Sequence, residues 1–205
     1  MDLRGSVDLQ WLPAAVGTVC LTRSPFAGTV DVTHLPASLT LLLLFENEFT
    51  GTIDLSDLPS RMENLYLNTD KFRGSLELRK LPASLHELLV HANKFTGSVC
   101  LAELPAGLDW LNLASNHFSG SLDLRNLPAN LRRLHLQRNH FSGALDVSRL
   151  PRGLMELCLS ENRFAASIDL EGLPESIKQG IVECQSRGLD VYPFKTNKRR
   201  MYQEP

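Results

Sequence analysis

Eight Leu-Pro pairs stand at a strict interval: Pro13, Pro36, Pro59, Pro82, Pro105, Pro128, Pro151 and Pro174 are each 23 residues apart, and Leu precedes every one. A fixed period of this size along nearly the whole chain calls for stacked, similar units that share one continuous core. An ordinary globular fold has no reason to repeat itself in this way.

Counting from each proline turns the repeats into columns with physical roles. Apolar residues fall three, six and eight positions on, as in Leu131, Leu134 and Leu136. The alternation in "LHLQRN" predicts one short strand per unit, with Leu134 and Leu136 inward and Arg133, His135 and Gln137 outward. Eleven positions on stand Asn47, Asp70, Asn93, Asn116, Asn139 and Asn162, a polar column in an apolar frame. Such a column must be satisfied by backbone groups of the turn, which predicts a stacked ladder of hydrogen bonds. Phe26, Phe49, Phe72, Phe95, Phe118, Phe141 and Phe164 follow two positions later, predicting a spine of stacked rings. Gly recurs from Gly5 through Gly28, Gly51, Gly74, Gly97, Gly120 and Gly143, with Ala166 the departure, and marks a tight backbone or a positive φ. "GSLDL" alternates again, so a second extended segment with Leu122 and Leu124 inward is expected opposite the first. Leu-Pro then turns the chain, because proline fixes φ and offers no N–H to a ladder.

L-x-x-L-x-L-x-x-N at this period resembles the leucine-rich repeat signature. The resemblance runs from Leu3 to roughly Gln185, and more narrowly "LPANLRRLHLQRNHFSGALDVSRLP" is similar to the 23-residue repeats of kinetoplastid protists. It also shares its Leu-Pro opening with shorter repeats of bacterial effectors, which lack the "FSGxLDL" half. The resemblance implies a leucine-rich repeat solenoid, an α/β-type horseshoe that is mainly β. One strand per repeat would form a parallel concave sheet, with short extended segments on the convex side. It also implies a right-handed, curved coil used in most relatives to bind proteins.

Residues 1–185 are expected to form the repeat domain and 186–205 a C-terminal extension with a basic tail. "GSVDLQWLP" is the second half of a repeat whose first half is missing, so the chain is read as a fragment or as docking further repeats or another subunit there. The eighth repeat decays, with Gly180 at a buried Leu column and Gln185 at the Asn column, which reads as a cap. Val191, Tyr192 and Phe194 are expected to fold over it. "KTNKRR" is a solvated tail in the plainer reading, with a nuclear import or nucleic-acid signal as the alternative.

Net charge is −2, and five basic groups against two acidic ones in the last twenty residues leave about −5 on the repeats, which argues against a general nucleic-acid binder. No apolar run is long enough to span a membrane, and "MDLRGSVDLQ" lacks the apolar stretch of a secretory signal. A cytoplasmic, intracellular setting is expected, with the nucleus as an option from the basic tail. Cys20, Cys100, Cys158 and Cys184 fall in places that cannot pair, so four thiols are expected.

The variable, outward positions carry the functional reading. They place Leu41, Leu43, Phe45, Asn64, Tyr66, Asn68, Leu89, His91, Trp110, Asn112, Arg133 and His135 on one face, unusually rich in apolar and aromatic groups for exposed residues. That composition is what an anchor region for a protein partner looks like. Arg133 with Glu156, Arg138 with Glu161 and Arg23 with Glu46 are expected to pair one strand apart. Lys71, Lys94, His117, His140 and Arg163 form a less compensated basic column, read first as a solvated rim and second as a contact for an acidic partner. Asp8, Asp31, Asp54, Glu77, Asp123, Asp146 and Asp169 form a convex acidic stripe, interrupted by Cys100 and expected to accept backbone N–H groups before each Leu-Pro. The histidines lack Cys or carboxylate at ligand spacing, so no metal is expected, and no cofactor. No nucleophile elbow, phosphate loop, H-E-x-x-H or Cys with a His at a shared strand end is found, and the chain is read as non-enzymatic. The alternative to a protein-binding module is a structural scaffold docked through its N-terminal end and basic tail, followed by a nucleic-acid-associated protein.

Overall fold

A computed structural model describes residues 7–164 and Ile177. A short 3-10 turn, Leu9–Trp11, opens it. Seven coils follow, each giving one strand to each of two parallel sheets. The first sheet comprises β1 (Thr18–Cys20), β3 (Leu41–Leu43), β5 (Asn64–Tyr66), β7 (Glu87–Leu89), β9 (Trp110–Asn112), β11 (Arg133–His135) and β13 (Glu156–Cys158), side by side in that order. The second comprises β2 (Ala27–Gly28), β4 (Glu48–Gly51), β6 (Lys71–Gly74), β8 (Lys94–Gly97), β10 (His117–Gly120), β12 (His140–Gly143) and β14 (Arg163–Phe164). The fold is a leucine-rich repeat solenoid.

Neighbouring strands of the first sheet pair column for column, Leu42 with Leu65 and Leu134 with Leu157. In the second sheet they do not: Thr50 pairs with Lys71 and Gly51 with Phe72, an offset of 21 rather than 23. These strands therefore run obliquely, and the spacing between coils exceeds the ladder spacing of ~4.8 Å. Phenylalanine rings in the second sheet accordingly repeat at 6.0–6.3 Å. Closer coils on one side and wider coils on the other make the first sheet the concave one.

The core lies between the sheets. Leu42, Leu44, Leu65, Leu67, Leu111, Leu113, Leu134 and Leu136 are fully buried, as are Phe49, Phe72, Phe95, Phe118 and Phe141. Each such ring withdrawn from water contributes roughly 1.5–3 kcal/mol. Proline closes the convex turn, its carbonyl accepting from the N–H three residues on, as Pro59 does from Met62 at 2.9 Å.

The asparagine column stitches the coils together. Asn116 Nδ2 donates to the carbonyls of Leu113, Ala114 and, one coil back, Val90, each at 3.1 Å, while its Oδ1 accepts from the Phe95 N–H at 3.1 Å. The turn between coils puts the residue before this column in the left-handed region. Arg23, Glu46, Thr69, Ala92, Ser115, Arg138 and Glu161 all have φ between 51° and 61°. No Gly marks that column. Gly does occupy the column read as tight, where φ is 85–91°. A Cβ on Gly74 would stand 2.8 Å from Thr52 Cγ2.

In "SLDL" Leu122 and Leu124 are buried as expected, and the ladder on this side falls just before it, on "HFSG", Phe column included. The ladder stops after Gly143 and its equivalents, where φ turns positive. The acidic stripe accepts backbone N–H groups as anticipated: Asp31 from Thr33 at 2.8 Å, Asp54 from Ser56 at 2.9 Å and Asp146 from Ser148 at 3.0 Å. On Asp123 the Arg125 guanidinium, then its N–H, bring the carboxyl down to about 2. The eighth-repeat cap, Cys184 and the basic tail lie outside the described residues.

Candidate functional site: the concave face

Pleating decides which side chains reach this face. In each strand the middle residue is buried and its two neighbours point the other way, so Leu41 and Leu43 flank Leu42, and Asn64 and Tyr66 flank Leu65. Trp110 and Asn112 flank Leu111 in the same manner, and Arg133 and His135 flank Leu134. Registration then aligns them into rows. One row runs Leu41, Asn64, Glu87, Trp110, Arg133, Glu156, and the next runs Leu43, Tyr66, Leu89, Asn112, His135, Cys158. Phe45, Asn68 and His91 belong to a third row, two residues beyond each strand. All twelve predicted residues thus share the face. They are less open than expected: Asn68, Leu89, Asn112 and His135 are buried, because side chains converge on the concave side.

Two panels differ in chemistry. Toward the N-terminal coils Leu41, Leu43 and Phe45 are half-buried, and the Phe45 ring lies 6.5 Å from that of Tyr66. Beyond them the face is knit by charge. Tyr66 donates its hydroxyl to the Glu87 carboxylate, and burial, then this bond, push the phenol up to about 12. Arg133 sits 4.0 Å over the Trp110 ring and reaches Asp109 at 3.2 Å and Glu87 at 3.7 Å. His135 Nε2 lies 2.8 Å from Glu156, and its ring meets Trp110 edge-on at 6.1 Å.

Arg133 therefore does not form the ion pair expected with Glu156. Its guanidinium turns toward the two carboxylates of the preceding coils, and Glu156 goes to His135. Arg23–Glu46 at 2.9 Å and Arg138–Glu161 at 2.6 Å form as expected. Glu87, Asp109 and Glu156 were missed as site residues, although Glu87 and Glu156 share a column with Trp110. Cys158 also proves to be the strand partner of His135, correcting the expectation that no Cys meets a His, and its side chain is buried.

Polar atoms remain unsatisfied in this cluster. His91 Nδ1, Trp110 Nε1, Gln137 Oε1 and Ser160 Oγ are buried without a hydrogen-bond partner among the described residues. Burial, then the neighbouring His135, push His91 down to about 4, so its imidazole is neutral near pH 7. Among the described residues no group of three or more His, Cys, Asp or Glu could hold a metal ion, and no helix is long and apolar enough to cross a membrane.

No family model and no curated protein matches the sequence. Solved structures do match the fold. The Arabidopsis receptor kinase HAESA, in complex with the peptide hormone IDA and the co-receptor SERK1, is 25% identical with a TM-score of 0.59; the match covers 83% of this chain and 34% of that one. YopM from Yersinia enterocolitica is 25% identical with a TM-score of 0.58, covering 82% and 38% respectively. The plant peptide hormone receptor RGFR1, in complex with RGF2, is 22% identical with a TM-score of 0.59, covering 84% and 33%. The chain spans about a third of the length of these leucine-rich repeat proteins.

Proposed function

We propose that this chain is a non-enzymatic protein-interaction module, built from repeats of the kinetoplastid type, that binds a protein partner through its concave face. One observation carries the reading: Leu41, Leu43, Phe45 and Tyr66 form an apolar panel on the same sheet face as a charged network of fixed geometry built around Trp110. Aromatic anchors beside oriented polar groups are where binding energy concentrates in protein interfaces. HAESA, similar in fold, is a receptor seen with a peptide hormone, which supports a protein ligand over a small molecule. The thiols of Cys20 and Cys100, free among the described residues, suit a reducing, intracellular compartment.

A scaffold reading has one observation in its favour. Trp11, beside the first coil, is 80% exposed, in a column whose next six members, His34, Asp57, Lys80, Glu103, Asn126 and Arg149, are polar. The test is capture from an extract of the source cell with wild type, with Phe45→Ser/Tyr66→Ser/Trp110→Ser, and with Trp11→Ser. Loss of the captured protein in the triple variant alone supports the concave face. Loss in Trp11→Ser alone transfers the function to the end of the coil.

A further inference from the structure

The outward residues of the second sheet form a face that the concave reading leaves unused. They are Glu48 and Thr50 in β4, Lys71 and Arg73 in β6, Lys94 and Thr96 in β8, His117 and Ser119 in β10, His140 and Ser142 in β12, and Arg163 in β14. Sequence columns conceal how these meet, since the oblique register sets Arg73 directly beside Lys94. Like charges on directly paired residues oppose pairing. Glu48 lies 3.4 Å from Lys71, but among the described residues neither Arg73 nor Lys94 has a carboxylate in ion-pair range. Arg23, Arg79, Arg125, Arg132, Arg133 and Arg138 each have a carboxylate within 4.0 Å, whereas Arg61, Lys80 and Arg149 have none among the described residues; Arg73 and Lys94 differ from those three in standing directly beside each other.

The same register pairs a hydroxyl with the next basic or imidazole side chain along the sheet. Thr96 stands beside His117, Ser119 beside His140 and Ser142 beside Arg163. At these three steps a hydroxyl and a basic or imidazole side chain therefore stand side by side. These sites repeat with the coils, whose phenylalanine rings are 6.0–6.2 Å apart here and whose His117 and His140 rings are 5.7 Å apart. Alternate side chains of an extended peptide repeat at about 6.6 Å, a difference that long Lys and Arg side chains absorb over a few coils.

We propose that the outer face of the second sheet docks an extended acidic polypeptide segment lying across the strands, with alternate carboxylates, one per coil, over Lys71, over Lys94 with Arg73 beside it, and over His117. Charge complementarity and spacing argue for it. A single-stranded nucleic acid fits less well, because its bases need aromatic platforms and no Phe, Tyr or Trp faces outward on these strands. This surface is distinct from the concave one and stands independently of it.

Fluorescence anisotropy with a labelled peptide of alternating Glu and Ser tests the proposal. The full chain should bind it, and bind less tightly a peptide of the same composition with its Glu in one block. Arg73→Glu/Lys94→Glu should weaken binding by about tenfold or more and gain binding to a peptide of alternating Lys and Ser, a gain that only a folded variant shows. The milder Lys94→Gln should fall between the two. Phe45→Ser/Tyr66→Ser/Trp110→Ser should bind the acidic peptide as wild type does, which separates this face from the concave one. No binding, equal affinity for the blocked peptide, unchanged affinity in the charge-reversed variant, or tighter binding of an oligothymidylate would each overturn it.

Discussion

Asp70 occupies a position built for an amide, and replacing it with Asn should make the protein more stable at neutral pH and less sensitive to pH. In the same column Asn93 Nδ2 donates to Leu67 O at 2.7 Å, Val90 O at 3.1 Å and His91 O at 3.3 Å. Asp70 Oδ1 accepts from the Phe49 N–H at 2.9 Å, as an amide oxygen would, but Oδ2 is buried with no partner. The carbonyls corresponding to those met by Asn93 belong to Leu44, Leu67 and Asn68, and a carboxylate has nothing to donate to them. Burial pushes the carboxyl up to about 7, against the pull of the Phe49 and Asn47 N–H groups and of Lys71. The folded state therefore keeps a proton that the unfolded chain releases near pH 4. Stability from this group is fully present below about pH 4, falls as pH rises from there through about 7, and then levels off; the total loss is at most about 4 kcal/mol. Asp70→Asn supplies the missing donor at every pH. At pH 8 the variant should gain about 2–4 kcal/mol over wild type, narrowing to about 1 kcal/mol or less at pH 4. Urea denaturation followed by circular dichroism across this pH range measures it. Parallel pH profiles for the two proteins, or a variant less stable at pH 8, would refute the reasoning.

The other expectations concern the same frame. Asn116→Leu should cost roughly 1–3 kcal/mol by stranding backbone groups, whereas Asn126→Leu, at an exposed position, should leave the melting temperature nearly unchanged. Thr69→Gly should stabilise by about 0.5–1 kcal/mol, because a β-branched residue is held at φ 61°. Gly74→Ala should destabilise through its clash with Thr52, and thermal melts of the two variants should move in opposite directions. Thiol titration of the unreduced, denatured protein should count four reactive groups, and a native intramolecular disulfide would contradict the coil map.

Legibility in the sequence followed the strength of the local constraint. Leucine alternation, the asparagine ladder, the Phe spine and the acidic caps each come from one residue type doing one job in nearly every coil, so a column names its role even with Ser24, Asp70 and Cys100 as departures. The left-handed column is invisible because Arg, Glu, Thr, Ala and Ser take that φ to fit the turn between coils, even where Ser24 or Asp70 stands in place of the asparagine. The oblique register of the second sheet is hidden for another reason: it is a relation between coils, and a repeat alignment assumes every column stacks on itself. That assumption missed Arg73 beside Lys94. Among the site residues, pleating placed all twelve on one face. Long side chains still chose partners across two coils, as Arg133 does with Glu87, and curvature buried Leu89 and Asn112.

Affinity for the captured protein, measured by calorimetry on purified components, bears most directly on the concave face as the working surface. Phe45→Ser/Tyr66→Ser/Trp110→Ser should weaken binding by about thirtyfold or more when measured well below its melting temperature, which loss of the Tyr66–Glu87 and Arg133–Trp110 contacts lowers. Leu42→Ala, whose side chain points into the core, should instead cost about 2–5 kcal/mol of stability and leave the affinity of the folded protein near that of wild type. Wild-type affinity in the triple variant would contradict the account.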